Sequence, residues 1–323
     1  MLKPASGNIA DLLTRKKLNL IVVAGPTASG KTHFAVQLCD KMDGEIISAD
    51  SRQVYIGLDI GSGKDLSEYN LSPERQIPHH LIDIVPPTTE YSVFDFQQDF
   101  FDAFGKIRER GNVPLLCGGT GLYIDCILRN YKLQKVPTNM ELRQSLNGKS
   151  TEELIQLLQS YPRALHNSTD TTERHRLLRA IEIADFTLKN PHCEPDSPSY
   201  ENVAAFVFYI TAERPVLREK IHARLHSRLN EGMIEEVENL LKKGVSAARL
   251  EQLGLEYRFV SRYLQGKITK IAMEEELFRA ICQFAKRQET WFRGMERKGV
   301  ILHRISPETS PETCIKMIDE FSQ

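Results

Sequence analysis

The sequence predicts an α/β fold, a parallel sheet flanked by helices with a small helical domain inserted into it. Three observations lead there. The apolar run Leu20-Ile21-Val22-Val23-Ala24 passes directly into Gly25-Pro26-Thr27-Ala28-Ser29-Gly30-Lys31-Thr32, a strand feeding a Gly-rich phosphate-binding loop. Strand and helix signals then alternate through the first third of the chain, as in a parallel sheet with crossover helices. From 132 to 200 the alternation gives way to short helical segments, and a strand-like apolar run resumes at Ala204.

Taken in order, the first strand ends at Ala24, and the octet that follows makes the core P-loop NTPase-like, with a helix expected from Lys31. Strands are expected at 45–48, 81–84 and 113–117, and a helix from Ser92. Gly118-Gly119-Thr120-Gly121 closes the 113–117 strand and puts Thr120 at the carboxyl edge of the sheet, where ligands bind in open α/β folds. A Gly-rich turn with only a structural job fits the same residues. Within the insertion, Ser150-x-x-Glu153 is a capping-box pattern and the polar, Pro-containing stretch 190–200 reads as a loop. The run 204–210 suits a buried strand. Leu217, Ile221 and Leu225 mark one helical stripe, Leu277, Ile281 and Phe284 another, and Ile301-Leu302 fits a last short strand. The expected division is a core of 1–131 with 201–323, interrupted by the helical insertion 132–200.

At 323 residues and 41% hydrophobic content the chain can bury a sizeable core, as one large domain or two lobes. No apolar stretch approaches the roughly 20 residues of a membrane span, and the N-terminal residues lack the apolar centre of a signal peptide, so no membrane partner is expected and the cytoplasm is the expected location, with a monomer the expected state. Six cysteines, Cys39, Cys117, Cys126, Cys193, Cys282 and Cys314, form no C-x-x-C pair and read as reduced, packed thiols. A formal charge of −1 supplies no global drive toward nucleic acid, so any such surface has to be local. Arg214, Arg218, Lys220, Arg224 and Arg228 form one basic group and Lys286, Arg287, Arg293, Arg297 and Lys298 another. With Glu213, Glu219, Glu235 and Glu236 close by, charge alone reads them as solvated helix faces.

The chemistry concentrates in two places. In the octet, glycines let backbone N–H groups wrap a phosphate, Lys31 adds a point charge, and Thr32 can offer a hydroxyl to Mg²⁺ at the positive end of a helix. A di- or triphosphate ligand is implied, but not which group moves. Eighteen residues beyond Thr32, the strand Ile46-Ile47-Ser48-Ala49 ends in Asp50, which lands at the sheet edge beside the loop. There it could orient an acceptor hydroxyl or hold Mg²⁺ through water in a kinase, take a proton from a nucleophile in a transferase, or cap the next turn.

The ordered set G-P-T-A-S-G-K-T (25–32), I-I-S-A-D-S-R-Q-V-Y (46–55), D-I-G-S-G-K (59–64), H-H-L-I-D-I (79–84), Y-S-V-F-D-F (91–96), G-G-T-G-L-Y (118–123) and A-K-R-Q-E-T-W-F-R (285–293) resembles the tRNA dimethylallyltransferases, from Gly25 to about Arg293. The resemblance implies transfer of a dimethylallyl group from its diphosphate to N6 of the adenosine 3′-adjacent to a tRNA anticodon. Under it Gly25, Pro26, Thr27, Ala28, Ser29, Gly30, Lys31 and Thr32 hold the diphosphate, Thr32 with Mg²⁺. Asp50 takes the base position, and Thr120 and Arg224 join it in the reaction channel. The anticodon stem-loop would be gripped by Asp50, Ser51, Arg52, Gln53, Thr120 and Arg143, by His175, Arg176, Leu177, Leu178 and Arg179, and by Leu253, Gly254, Leu255, Glu256, Tyr257 and Arg258. The chain departs from the family pattern at Gly61-Ser62-Gly63-Lys64-Asp65, where Gly-Thr-Ala-Lys-Pro is usual, at Glu256, where Gly is usual, and at Ile281-Cys282-Gln283, where Thr-Arg-Gln is usual. Glu256 adds negative charge at a position expected near RNA.

His79-His80 and Trp291-Phe292 have structural readings, packing in both cases, that precede any role as ligand or stacking platform. A P-loop kinase, an isopentenyltransferase for free adenine nucleotides, and an RNA-binding module with a dead loop are the competing functions. Intact Lys31, Thr32 and Asp50 oppose the last.

Overall fold

The computed structural model describes residues 9–162, 174–190 and 202–321. The chain divides into two compact units, one formed by Met1–Tyr131 with Glu201–Gln323 and the other by Lys132–Tyr200.

In the first unit, helix α1 (Ile9–Arg15) leads to strand β1 (Leu20–Ala24), and the phosphate-loop octet carries the chain from β1 into α2 (Lys31–Met42). Strand β2 (Gly44–Ala49), the hairpin of β3 (Asn70–Ser72) and β4 (Arg75–Gln76), β5 (His79–His80), α3 (Val93–Glu109), β6 (Val113–Gly118) and α4 (Gly121–Leu128) follow. The second unit contributes α5 (Met140–Ser145), α6 (Thr151–Gln159) and α7 (Arg174–Lys189). The first unit then resumes with β7 (Ala205–Ile210), α8 (Arg214–Asn230), α9 (Met233–Lys242), α10 (Ala247–Leu250), α11 (Leu255–Leu264), α12 (Lys270–Arg297), β8 (His303–Ile305) and α13 (Pro311–Glu320).

The main sheet runs β5-β2-β6-β1-β7-β8 with every neighbouring pair parallel. Strand β1 is internal and all five of its residues are buried, the signature of a strand covered on both faces. Ile21 and Val23 pack with Phe34 and Leu38 of α2, Phe206 and Phe208 of β7 and Ile318 of α13. Helix α3 starts at a capping box, Ser92 with Asp95, and buries Phe96, Phe100 and Phe104 on one stripe; Tyr123 of α4 stacks on Phe96 at 4.0 Å between ring centres. A second cluster gathers Leu225, Val237, Tyr257, Leu277 and Ile281 from helices α8, α9, α11 and α12 with Leu253 of the α10–α11 turn, Val54 and Leu58. Among the described residues, Cys39, Cys117, Cys126, Cys282 and Cys314 are free thiols, all but Cys282 buried; Cys193 lies outside them. No described helix is long and apolar enough to cross a membrane.

Three sequence expectations move. The strand expected at 81–84 is instead His79–His80, paired with Ile46 and Ile47, because Leu81 (φ 61°) and Asp83 (φ 54°) take left-handed conformations that break extension. The strand expected at Ile301-Leu302 is His303–Ile305, and Ile301 points out at 62% exposure. On α12 the buried stripe passes from Leu277 and Ile281 to Ala285, Gln288 and Phe292, so Phe284 is left exposed, with the Arg287 guanidinium over its ring. His79 and His80 have packing and hydrogen-bonding roles: His79 lies 4.5 Å from the Tyr69 ring and His80 Nε2 is 2.6 Å from Glu45 Oε2.

Glu45 anchors the amino end of β2. Arg110 donates to it through Nε at 2.9 Å and Nη2 at 2.7 Å, and Asn112 Nδ2 donates at 2.7 Å. Burial by itself raises the carboxyl pKa, but these bonds and His80 outweigh it and hold the group down at about 2. A carboxylate with a depressed folded-state pKa contributes stability that is complete above the unfolded value and lost as pH falls through the folded one. Glu45 therefore contributes about 3 kcal/mol that persists above pH ~4.5 and disappears toward pH 2. Urea unfolding of wild type and Glu45→Gln across that interval should show a stability gap at pH 6 that closes by pH 2; a gap independent of pH would refute the assignment.

Candidate active site

Because β1 lies inside the sheet, the octet sits at its carboxyl edge, flanked by the ends of β6 and β7. Ala28 (φ 61°) and Gly30 (φ 82°) turn the backbone back over the start of α2. Gly30 is the N-cap of α2 and brings no side chain to its first N–H groups, so the positive end of the helix is left to an anion. Gly25 is required by close approach: a Cβ there would lie 2.9 Å from Ser29 Oγ and 3.1 Å from the Ile210 carbonyl oxygen. Ser29 is fully buried, and its hydroxyl has no hydrogen-bond partner among the described residues. Lys31 Nζ donates across the loop to the Pro26 carbonyl at 3.4 Å. Burial lowers the Lys31 ammonium pKa, with Arg224 adding to the fall and Asp50 opposing it. Thr32, half-buried, occupies the next position of α2.

Asp50 follows β2, and β6 lies between β2 and β1, so the Gly119-Thr120 turn at the end of β6 stands between carboxylate and cradle. Asp50 Oδ1 accepts the Arg52 N–H at 2.9 Å, which orients the carboxylate and leaves Oδ2 open to a donor. Thr120 N–H donates to the Ala49 carbonyl at 3.1 Å, and Thr120 Oγ1 accepts the Ser51 N–H at 3.1 Å. The Thr120 hydroxyl thus binds the two strand ends together instead of capping α4. Gln53 Oε1 accepts from Ser48 Oγ at 2.9 Å, and burial lowers the Arg52 guanidinium pKa against the fields of Tyr55 and Asp50.

Arg224 and Arg228, one turn apart on α8, bring positive charge to the same place. Arg224 Nη1 donates to Thr27 Oγ1 at 3.5 Å. Arg228, 9% exposed, donates to the Gly61 carbonyl at 3.4 Å and lies 3.6 Å from Glu256 Oε1. Both guanidiniums occupy the space that a side chain at Gly63 would need, and Gly63 is itself left-handed at φ 70°. Burial and then the Arg228 charge bring the Arg224 pKa down to about 10, while Glu256, Glu68 and Asp50 pull the other way. Glu256, raised by burial and opposed by Arg228 and Arg224, is therefore the counter-charge of this pair and not an isolated acid facing RNA. Lys64, equally buried, is fixed by Asp59 at 2.8 Å, Asp83 at 2.5 Å and the Tyr55 carbonyl at 3.0 Å.

Sequence reasoning assigned no role to Gln288. Its Oε1 accepts the Thr27 N–H at 2.8 Å and its Nε2 donates to the Gly119 carbonyl at 2.8 Å. A polar residue on the buried stripe of α12 was the available signal.

Several residues expected at the RNA surface belong to the interior. Leu253 and Tyr257 are fully buried, and the Tyr257 hydroxyl donates to Glu236 Oε1 at 2.8 Å, so both side chains support the fold. Gly254 (φ 144°), Leu255, Glu256 and Arg258 lie around the start of α11, and Arg258 Nε donates to the Glu251 carbonyl at 3.0 Å. In the second unit Leu177 is fully buried with Leu154, Leu158 and Ile181. Arg143 grips the buried Glu182 through Nε at 2.7 Å and Nη2 at 3.0 Å, and Arg179 joins at 3.1 Å while donating to the Val136 carbonyl at 2.6 Å. These two arginines hold the helices of the insertion together. His175 and Arg176 are exposed and Leu178 is half-buried. The capping box of Ser150 and Glu153 is formed, with the Ser150 N–H donating to Glu153 Oε2 at 2.6 Å; of the stretch 190–200, all but Asn190 lies outside the described residues.

This geometry has counterparts. The family described as IPP transferase matches residues 53–295, and one described as isopentenyl transferase matches 17–77. The chain is 50% identical over 293 residues to tRNA dimethylallyltransferase 2 of Syntrophotalea carbinolica, covering 91% of this chain and 96% of that protein. It is 50% identical over 295 residues to tRNA dimethylallyltransferase 2 of Treponema denticola, covering 91% and 97%. The crystal structure of full-length tRNA isopentenylpyrophosphate transferase from Bacillus halodurans superposes with a TM-score of 0.64 at 31% identity, covering 93% of this chain and 94% of that one. With cradle, carboxylate and guanidiniums drawn from segments that these matches span, the chain belongs to the tRNA dimethylallyltransferase family of IPP transferases.

Proposed function

We propose that the chain transfers the dimethylallyl group of dimethylallyl diphosphate to N6 of the adenosine 3′-adjacent to the anticodon of tRNA, releasing diphosphate. The observation that carries this reading is the placement of Asp50 and the phosphate cradle at the ends of β2 and β1, on either side of the Gly119-Thr120 turn. A diphosphate fits the cradle because its oxygens would meet the buried Ser29 hydroxyl, the uncapped start of α2, Lys31 and Arg224. In the reaction the N6 lone pair forms a bond to the allylic carbon, the C–O bond breaks with its electron pair going to the diphosphate, and the N6 proton passes to Asp50. The cradle's positive groups then act where negative charge grows, on the departing oxygens. The adenine must leave its stack to reach this edge.

Mg²⁺ fits the donor set in a limited way. Among the described residues no three His, Cys, Asp or Glu side chains converge on a metal, so the ion would be held by the Thr32 hydroxyl together with diphosphate oxygens and water, as Mg²⁺ commonly is. When bound it would neutralise charge on the leaving group. The protein is proposed to act as a monomer in the cytoplasm.

The deciding experiment gives purified protein labelled dimethylallyl diphosphate with total tRNA and, separately, AMP and ATP. Label in tRNA with release of diphosphate supports the reading. Label on free nucleotides, or a strict requirement for ATP, replaces it with one of its competitors.

Arg143 and Arg176 separate fold from grip. Arg176→Ala, an exposed side chain on the first turn of α7, should weaken tRNA binding and reduce the log–log salt slope by about 1. Arg143→Ala removes the bidentate partner of a buried carboxylate and should instead lower the stability of the insertion by about 3 kcal/mol. Salt-titrated tRNA affinity and denaturant unfolding of each variant make the comparison; an unchanged slope for Arg176→Ala would remove it from the RNA surface.

A further inference from the structure

We propose that Gln288 is a positioning residue for the transfer step, a two-bond strut that fixes the distance between the leaving-group loop and the turn beside the base. The proposal rests on the reading above, in which diphosphate departs from the octet while Asp50 takes the proton.

Gln288 is 7% exposed, and both ends of its carboxamide are used. The oxygen takes the N–H of Thr27, inside the cradle, and the nitrogen gives to the carbonyl of Gly119, one residue before Thr120. Neither backbone group has another hydrogen-bond partner among the described residues, so Gln288 satisfies the part-buried Thr27 donor and the buried Gly119 acceptor, which would otherwise be unpaired within the protein. The fit is steric as well: Gln288 Nε2 fills the place of a Cβ at Gly119, and three residues further along α12 the Trp291 indole fills that place at Gly121. Phe292, its ring centre 5.0 Å from that of Tyr209 on β7, holds this part of α12 to the sheet. The strut continues on either side. Thr27 Oγ1 receives the Arg224 guanidinium, and Thr120 Oγ1 receives the amide of Ser51, which adjoins Asp50. A continuous series of bonds, Arg224 to Thr27 to Gln288 to Gly119, then Thr120 to Ser51, thus joins the groups that stabilise the departing oxygens to those that orient the base.

Displacement at carbon needs nucleophile, carbon and leaving oxygen in line, and a misplacement of about 1 Å lowers such a rate roughly 100-fold. Gln288 touches neither reacting group in this arrangement, so its loss should act on alignment and leave binding largely intact. Glutamine to methionine keeps the volume and removes both bonds. Glutamine to glutamate keeps the acceptor for Thr27 and removes the donor to Gly119.

The test is single-turnover transfer at saturating tRNA and dimethylallyl diphosphate for wild type, Gln288→Met and Gln288→Glu, with the affinity of each substrate and hydrogen exchange of the Thr27 amide measured alongside. Gln288→Met should lower the rate constant about 100-fold with both affinities within threefold, and should speed exchange at Thr27; Gln288→Glu should lower the rate while Thr27 stays protected. A variant that is merely less folded loses amplitude and keeps the wild-type rate constant, and that result, or rates within threefold of wild type in both variants, overturns the proposal. If Gln288→Met does not fold, Gln288→Glu decides by the same criteria. A wild-type protein that does not prenylate tRNA overturns the function and the strut together, whereas an active wild type with unaffected variants overturns the strut alone.

Discussion

Asp50→Asn is expected to lower the single-turnover rate of prenyl transfer about 1,000-fold while tRNA and dimethylallyl diphosphate bind within several-fold of wild type. The exocyclic amine of adenine is a weak nucleophile because its lone pair is delocalised into the ring, and it gains strength only as its proton is taken. An asparagine still offers an oxygen to the Arg52 N–H, which Asp50 Oδ1 accepts at 2.9 Å, so the turn keeps its shape. What it lacks is basicity at the second position. Loss of rate without loss of binding separates a group needed in the transition state from one needed for docking. Should Asp50→Asn transfer at close to the wild-type rate, the proton goes elsewhere and the arrangement of roles around β2 is wrong.

The sheet was legible because strand signals are local. The residues of β1, β6 and β7 are apolar runs between turn-forming residues, and Ser92 and Ser150 announce their helices through capping boxes that depend on four residues each. The errors arose where non-local contacts decide. The Leu81–Asp83 turn takes left-handed conformations while Asp83 reaches back to Lys64, and no pattern within 79–84 displays that. The cradle and Asp50 were readable from their motif, but the partners that orient them lie far away: Gln288 is 261 residues from Thr27, and Arg224 is 197 from it. Charge reasoning failed on α8. Arg143 and Arg179, which the resemblance placed at the tRNA surface, both bond Glu182 within the insertion, while Arg224 and Arg228, on a helix face that charge alone read as solvated, turn inward, Arg224 to Thr27 of the cradle and Arg228 to the Gly61 carbonyl and Glu256. Gly63 and Glu256, far apart in the sequence, meet around the same two arginines. Gly63 leaves space for both guanidiniums and Glu256 balances Arg228, a pairing that their separation in sequence conceals.

Arg224→Gln is expected to slow transfer by a factor of 100 to 1,000, roughly the effect of removing one preorganised donor from a developing anion. The direction follows from the state of this guanidinium in the structure. It is half-buried, adjacent to a second one on Arg228, and only partly compensated by Glu256, Glu68 and Asp50; desolvation first and then the Arg228 charge bring its pKa to about 10. Such a group is stabilised by any anion placed against it, and most by the one with the greatest charge. Charge on the diphosphate increases as the C–O bond breaks, so Arg224 should favour the transition state over the bound substrate. Glutamine removes the charge and, two bonds shorter, also gives up the contact that Arg224 Nη1 makes with Thr27 Oγ1 at 3.5 Å. The measurement compares diphosphate affinity with the single-turnover rate. A loss confined to affinity would make Arg224 a ground-state ligand, whereas the expected result is a rate loss at least tenfold larger than the affinity loss.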